Sequence, residues 1–268
     1  MRSSILGILT FCVLLAAPAR AEEPESLLID KSLIVLEELQ AMPDLAAPDW
    51  LLQRAEGIAI LPEVIKAGAI VGGRGGTGVL LVRRQDGSWS NPLFIGLAAA
   101  SVGWQFGVQA ADVILVFTTR RSIEGITDGK LTLGADAAAV AGPVGRAATA
   151  ATNVTLDAEV YSYSRAKGLF AGLSLEGSVI AIRDGANERF YGRDGVIPSD
   201  IIAPTAPLAP SPAPALMDAV ARLSGSSVEP QAAPAPGEAE TPAAVEPTPT
   251  EGAQSFPMED PAPGAEPG

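Results

Sequence analysis

The sequence predicts an α+β domain that is mainly β: a curled antiparallel sheet approaching a barrel, with short N-terminal helices before it and a disordered C-terminal tail after it. Three observations carry this reading. Short apolar runs succeed one another from Ile58 onward, separated by turn signals such as Gln85-Asp86-Gly87-Ser88 and Asp128-Gly129. Long helical patterns are few among them, so βαβ units do not fit. Past Ala203 the composition changes: 15 of the 23 prolines, nine acids and a single base, Arg222, fall in the last 66 of 268 residues, a mixture that leaves too little apolar surface for a core.

Four segments follow in order. Residues 1–21 read as a secretory signal peptide: a short basic start at Arg2, an apolar run from Ile5 to Ala17, and Ala19-Arg20-Ala21 as a small-x-small cleavage site before Glu22. The run is too short for a relaxed transmembrane helix, and the aromatic Phe11 before Cys12 argues against a lipid-anchored cysteine. Residues 22–48 are a helical segment, with Leu28, Leu33, Val35, Leu36 and Leu39 at helical spacing and Pro43 as a stop. Residues 49–202 form the globular body and 203–268 the tail. The mature chain is expected to be exported, periplasmic or secreted.

Within the body, a second short helix starts at Pro48-Asp49. Ile58 to Leu61 reads as a buried strand, Pro62 to Lys66 as one helical turn, and Gly68 to Val71 as another extended piece. Val79 to Arg84 and Trp89 onward form a hairpin. Strands are expected within Ala98 to Gln109, over Asp112 to Thr119, Val154 to Tyr163 and Leu169 to Arg183, with a helix at Arg120 to Ile126. Ala135 to Thr152, rich in alanine and glycine, fits either a packed helix or a thin strand.

Composition excludes much chemistry. There is no histidine, and the one cysteine, Cys12, lies in the expected leader. A Ser-His-Asp triad, a Cys-His dyad, a disulfide and an ordinary zinc site are therefore ruled out of the mature chain, and no cofactor is expected. Without residues 1–21 the balance is 16 bases against 31 acids. Such a surface does not attract nucleic acid as a whole, so any phosphate must meet a local patch.

Gly73-Arg74-Gly75-Gly76-Thr77-Gly78 matches G-x-G-x-x-G, but a strand and a hairpin turn follow where the dinucleotide fingerprint needs a helix. Gly172-Leu173-Ser174-Leu175-Glu176 approaches G-x-S-x-G without the last glycine and without a base for Ser174. Acid pairs such as Asp184 with Glu188 are ordinary on an acidic surface. The bases are few and clustered: Lys66 and Arg74 around the glycines, Arg83-Arg84, Arg120-Arg121, Arg146, and Arg165 with Lys167. Folding either gathers them into a phosphate-binding face or leaves them on separate turns. Tyr161, Tyr163 and Phe170 suit a membrane interface or the sheet core.

Gly57-Ile58-Ala59-Ile60, Lys66-Ala67-Gly68, the glycines Gly72 to Gly78, Trp89-Ser90-Asn91-Pro92, Gly142-Pro143-Val144-Gly145-Arg146, Tyr161-Ser162-Tyr163-Ser164 and Lys167 to Gly177 occur in that order. Together they resemble the SYLF domain family over about Asp49 to Gly192. The resemblance implies a non-enzymatic lipid-binding module, with Lys66, Arg74, Arg83, Arg146 and Lys167 as candidate headgroup contacts. It also implies a phospholipid or membrane surface as partner. The acidic Pro24 to Gln40 segment departs from the basic membrane contacts of eukaryotic members, and export makes actin an unlikely partner. The alternative is an envelope module that recruits a protein partner through the tail; a hydrolase with two facing carboxylates is a third class.

Overall fold

A computed structural model of the chain describes residues 24–41, 47–68, 71–102, 107–143, 158–166, 169–172 and 174–225. Helices α1 (Glu25–Gln40) and α2 (Asp49–Gln53) lead into four long strands, β1 (Gly57–Gly68), β2 (Val71–Val82), β3 (Leu93–Val102) and β4 (Gly107–Phe117). They are followed by α3 (Arg120–Thr127), β5 (Lys130–Thr132), β6 (Ala139–Ala141), β7 (Val160–Ala166), β8 (Leu169–Gly172) and β9 (Val179–Ile182). Helices α4 (Asp184–Tyr191), α5 (Pro198–Ile202) and α6 (Ala213–Leu223) complete the described chain.

The strands form one sheet in the order β5-β9-β3-β2-β1-β4-β7-β6, with β8 beside β7, curled into a half-barrel. The expected mainly-β architecture is therefore present. Its pairs are antiparallel, apart from β6, which runs parallel to β7. That strand falls within the ambiguous Ala135 to Thr152 stretch; residues 144–152 lie outside the described residues.

A single irregularity organises the sheet. Pro62 to Lys66 is not a helical turn but part of β1, and both ladders of β1 shift register around it, between Ile60 and Ile65 against β2 and between Leu61 and Val64 against β4. Pro62 has no N–H to give a central ladder, so a bulge is where such a strand tolerates it. Glu63 takes the strain with φ of 51°, and its N–H finds the Asp112 carboxylate at 3.0 Å instead of a ladder carbonyl.

The bulge divides the sheet into two halves. In the first, the uninterrupted apolar run Ile58-Ala59-Ile60-Leu61 is buried on both faces. Ile58, Ile60, Val79, Leu81, Ile114, Val116, Tyr161 and Tyr163 pack under α1, α2, α4 and α6. Ala59, Leu61, Leu80, Val82, Leu93, Ile95, Val113 and Leu115 pack against α3, Leu131, Ile180, Val196 and Ile201 on the opposite face. In the second half, past Val64, the described side chains of β1 to β4 are mostly small, and nearly all are half-exposed or exposed.

The tail expectation needs correction at its start. Residues from Ala203 to Gly225 belong to the fold, and α6 buries Leu216, Ala219, Val220 and Ala221 in the first core. Alanine and leucine at helical spacing, with proline confined to the first turn, outweigh the proline-rich average of the region. Residues 226–268, where the rest of the expected tail lies, are outside the described residues.

Candidate functional site

Of the five candidate cations, two meet. Lys66 on β1 is the direct cross-strand partner of Arg74 on β2, flanked by Gln109 on β4 and Ala99 on β3. Stepping back two residues at a time from Leu80 on β2 places Arg74 on the face of the second core; Lys66, two residues beyond Val64, shares it. Like charges in this position repel across a Cβ separation of roughly 5 Å. Among the described residues, neither is paired with a carboxylate. Among the described residues the Arg74 guanidinium reaches the Ser174 carbonyl oxygen alone, at 3.5 Å, and burial lowers its pKa below the ordinary arginine value.

Glycine allows this half of the sheet to form. A Cβ at Gly78 would stand 2.2 Å from the Ile60 carbonyl oxygen, and one at Gly76 would lie 2.9 Å from a Val64 methyl, because β2 crosses the bulge of β1 at these points. The G-x-G-x-x-G string thus lies inside a strand, and no helix follows it to aim amides at a pyrophosphate.

Arg83 lies nine residues further along the chain, one past the end of β2, about 30 Å from Arg74 at the usual strand rise. It has a packing role there. Its Nε donates to the Ala55 carbonyl at 2.7 Å and its Nη2 to that of Leu52 at 3.3 Å, closing the end of α2, while its guanidinium lies 4.8 Å from the Trp89 ring centre. Burial lowers its pKa, against the nearby Glu56 carboxylate. Arg146 and Lys167 lie outside the described residues.

Several other bases are engaged. Arg84 donates to the carbonyls of Ile202 at 2.9 Å and Trp89 at 2.7 Å. Arg120 pairs with Glu56 at 2.8 Å, and Arg165 joins Asp112 to Glu38 of α1. Lys31 pairs with Glu63 at 2.7 Å, so the same flank of α1 is tied to the bulge twice. Tyr161 and Tyr163 are buried at 1% and 0% exposure, which assigns them to the sheet core and not to a membrane interface.

Beside α3, an open hollow of about 360 Å³ is lined by Arg121, Glu124, Gly125, Asp128, Leu131, Ala135 and Asp136. Asp136 already caps its own turn through the Thr132 N–H at 2.7 Å. No group of three potential metal-ligating side chains occurs among the described residues. No described helix is long and apolar enough to cross a membrane.

Comparison with known proteins decides the family. The model of the Ysc84 family, described as "Las17-binding protein actin regulator", matches residues 98–223. The chain carries a SYLF domain. Over 152 residues it is 41% identical to Protein YSC84 of Saccharomyces cerevisiae, covering 56% of this chain and 32% of that one. LAS seventeen-binding protein 3 of the same yeast is 41% identical over 152 residues, 56% of this chain and 33% of that protein. Human SH3 domain-containing YSC84-like protein 1 is 39% identical over 153 residues, 57% of this chain and 44% of that protein. The chain thus spans about a third to a half of the length of these relatives.

These names correct one expectation. The SYLF resemblance implies a phospholipid surface as partner, and the expected export makes actin an unlikely one. The family model and the yeast relatives are named instead for actin regulation and for binding the protein Las17. The family description points to protein partners of an actin-regulatory kind, which the inferred export argument had set aside.

Proposed function

We propose that this chain is a non-enzymatic docking domain that engages an actin-regulatory protein through the uncovered half of its SYLF sheet. The carrying observation is the Lys66–Arg74 pair: two cations placed opposite each other, with no carboxylate partner among the described residues, on an otherwise acidic molecule. Such repulsion weakens the ladder, so a partner's acidic group that bridges both cations gains a charge-assisted, two-point contact. Co-sedimentation of the full chain with actin filaments, and pull-down with Las17, test this. Binding to at least one is expected, and Lys66→Glu with Arg74→Glu should abolish it. Equal binding by that double variant, or no binding to either probe, overturns the reading.

The finer reading is lipid binding, in which the same pair meets an anionic headgroup. The pairing of two cations itself supports it; Val108, 74% exposed on β4, is the cross-strand partner of Ala67 and so adds apolar surface only to the opposite face of the sheet. Vesicles of phosphatidylserine and of phosphatidylcholine separate this reading from protein docking, since sedimentation with the anionic vesicles alone is its expected mark. Export belongs with the lipid reading and not with docking to an actin regulator, and the Ala19-Arg20-Ala21 site supports it. An N-terminus at Glu22 in the secreted or periplasmic fraction is the expected result.

A further inference from the structure

Between α5 and α6 the chain runs from Ala206 to Ser211 with an exposure that repeats every three residues. Ala206 is half-buried, Pro207 and Leu208 are exposed, Ala209 is 3% exposed, and Pro210 and Ser211 are exposed again. Three residues per turn is the period of polyproline II. Local chemistry favours the same conformation: the rings of Pro207 and Pro210 hold φ near about −65°, and Ala206 and Ala209, each preceding a proline, are pushed away from the helical region.

The exposure period gives residues 206–210 three edges, one of them on the protein, before the turn that the Ala213 N–H closes on the Pro210 carbonyl at 3.0 Å. Ala206 and Ala209 form the inner edge, while Pro207 with Pro210, and Leu208, form the two outer edges. It is fastened from beneath: Asn91 Nδ2 donates to the Pro207 carbonyl at 2.7 Å, and just upstream Arg84 Nε donates to that of Ile202. Leu208, at 80%, is the most exposed large apolar side chain among the described residues.

We propose that Pro207-Leu208-Ala209-Pro210 is a preformed docking strip for a protein whose aromatic-lined groove reads polyproline II. Such grooves recognise P-x-x-P through the low-entropy polyproline form. The fold leaves two edges free and uses the third as its own anchor. Because the body already holds the conformation, binding loses little ordering entropy. The strip is uncharged, so its contacts are nearly indifferent to salt, unlike those of the Lys66–Arg74 pair.

The test is a titration of the full ¹⁵N-labelled chain with three isolated reader domains, an SH3, a WW and an EVH1 domain, each up to about 1 mM, a weak-binding limit. At least one should shift the amide signals of Leu208 and Ala209 progressively. Leu208→Ser, which alters only an exposed side chain, should weaken that binding by about five-fold or more, as expected of a central anchor. The Pro207→Ala, Pro210→Ala variant should remove it; where that variant unfolds, Leu208→Ser decides alone. No shift with any reader, shifts centred away from 206–211, or undiminished binding by Leu208→Ser overturns the proposal.

Discussion

Gly78 passes the bulge of β1 so closely that a methyl group there would lie 2.2 Å from the Ile60 carbonyl oxygen and 2.8 Å from the Leu61 Cα. Both obstacles are backbone in a strand paired on both sides, so neither yields without breaking the ladder. Gly78→Ala is expected to destabilise by about 2–3 kcal/mol, the upper range for overpacking. Gly75→Ala puts its methyl 3.7 Å from the Leu97 carbonyl oxygen, an ordinary contact, and should stay within about 0.5 kcal/mol of the parent. Urea denaturation of both variants checks the contrast. Equal losses would show that the bulge does not dictate glycine.

Chain truncation tests where the domain ends. Ending the chain after Gly225 should leave its thermal midpoint unchanged, whereas ending it after Ile202 removes α6 and uncovers the first core over α1. A milder probe is Leu216→Ala, which empties a fully buried site and should cost about 2–5 kcal/mol. Trp89 reports on this region, because its indole N–H donates to the Ser224 hydroxyl at 2.9 Å. Its fluorescence should change in the shorter truncation and not in the longer one.

The same helix shows how far the sequence could be read. Strands were visible where β-branched residues alternate or run together, as in Asp112 to Thr119, and α1 through its spaced leucines. Composition averaged over 66 residues concealed α6, whose eleven residues follow local spacing and not the regional proline content. Pro62 misled in another way: proline reads as a strand breaker, yet a bulge that needs Asp112, about 50 positions away, accommodates it. For the site, the sequence places Lys66 and Arg74 around the same run of glycines. It does not show that Arg83, one residue past the end of β2, caps α2 far from Arg74.

Alkaline pH should unfold the protein early. Burial raises the phenol pKa of both Tyr163 and Tyr191 above the ordinary value near 10. Between the unfolded and folded values the native state retains protons that the unfolded chain has released, so stability falls as pH rises beyond about 10 and is intact below it. Tyr191→Phe removes one of these titrations and flattens the loss. It also deletes the hydroxyl's 2.7 Å bond to the Pro92 carbonyl, lowering stability at neutral pH by about 1 kcal/mol. Denaturant midpoints at pH 7, 9.5 and 11 check both signs.

Substitution at Lys66 separates binding from folding. Threonine there keeps a good strand residue, removes the repulsion with Arg74 and leaves the glycines of β2 untouched. Lys66→Thr should raise stability by about 0.2–1 kcal/mol, more at low salt than at high, because repulsion between partly exposed charges is screened. Partner binding should weaken in the same variant. Arg83→Lys should behave in the opposite sense: it loses the planar fork that reaches Ala55 and Leu52 together, so stability falls by about 1–2 kcal/mol while binding is retained. Paired urea titrations and co-sedimentation distinguish the two positions. A Lys66→Thr variant that is both less stable and fully binding would assign Lys66 to the architecture and leave the docking surface without its ionic contact.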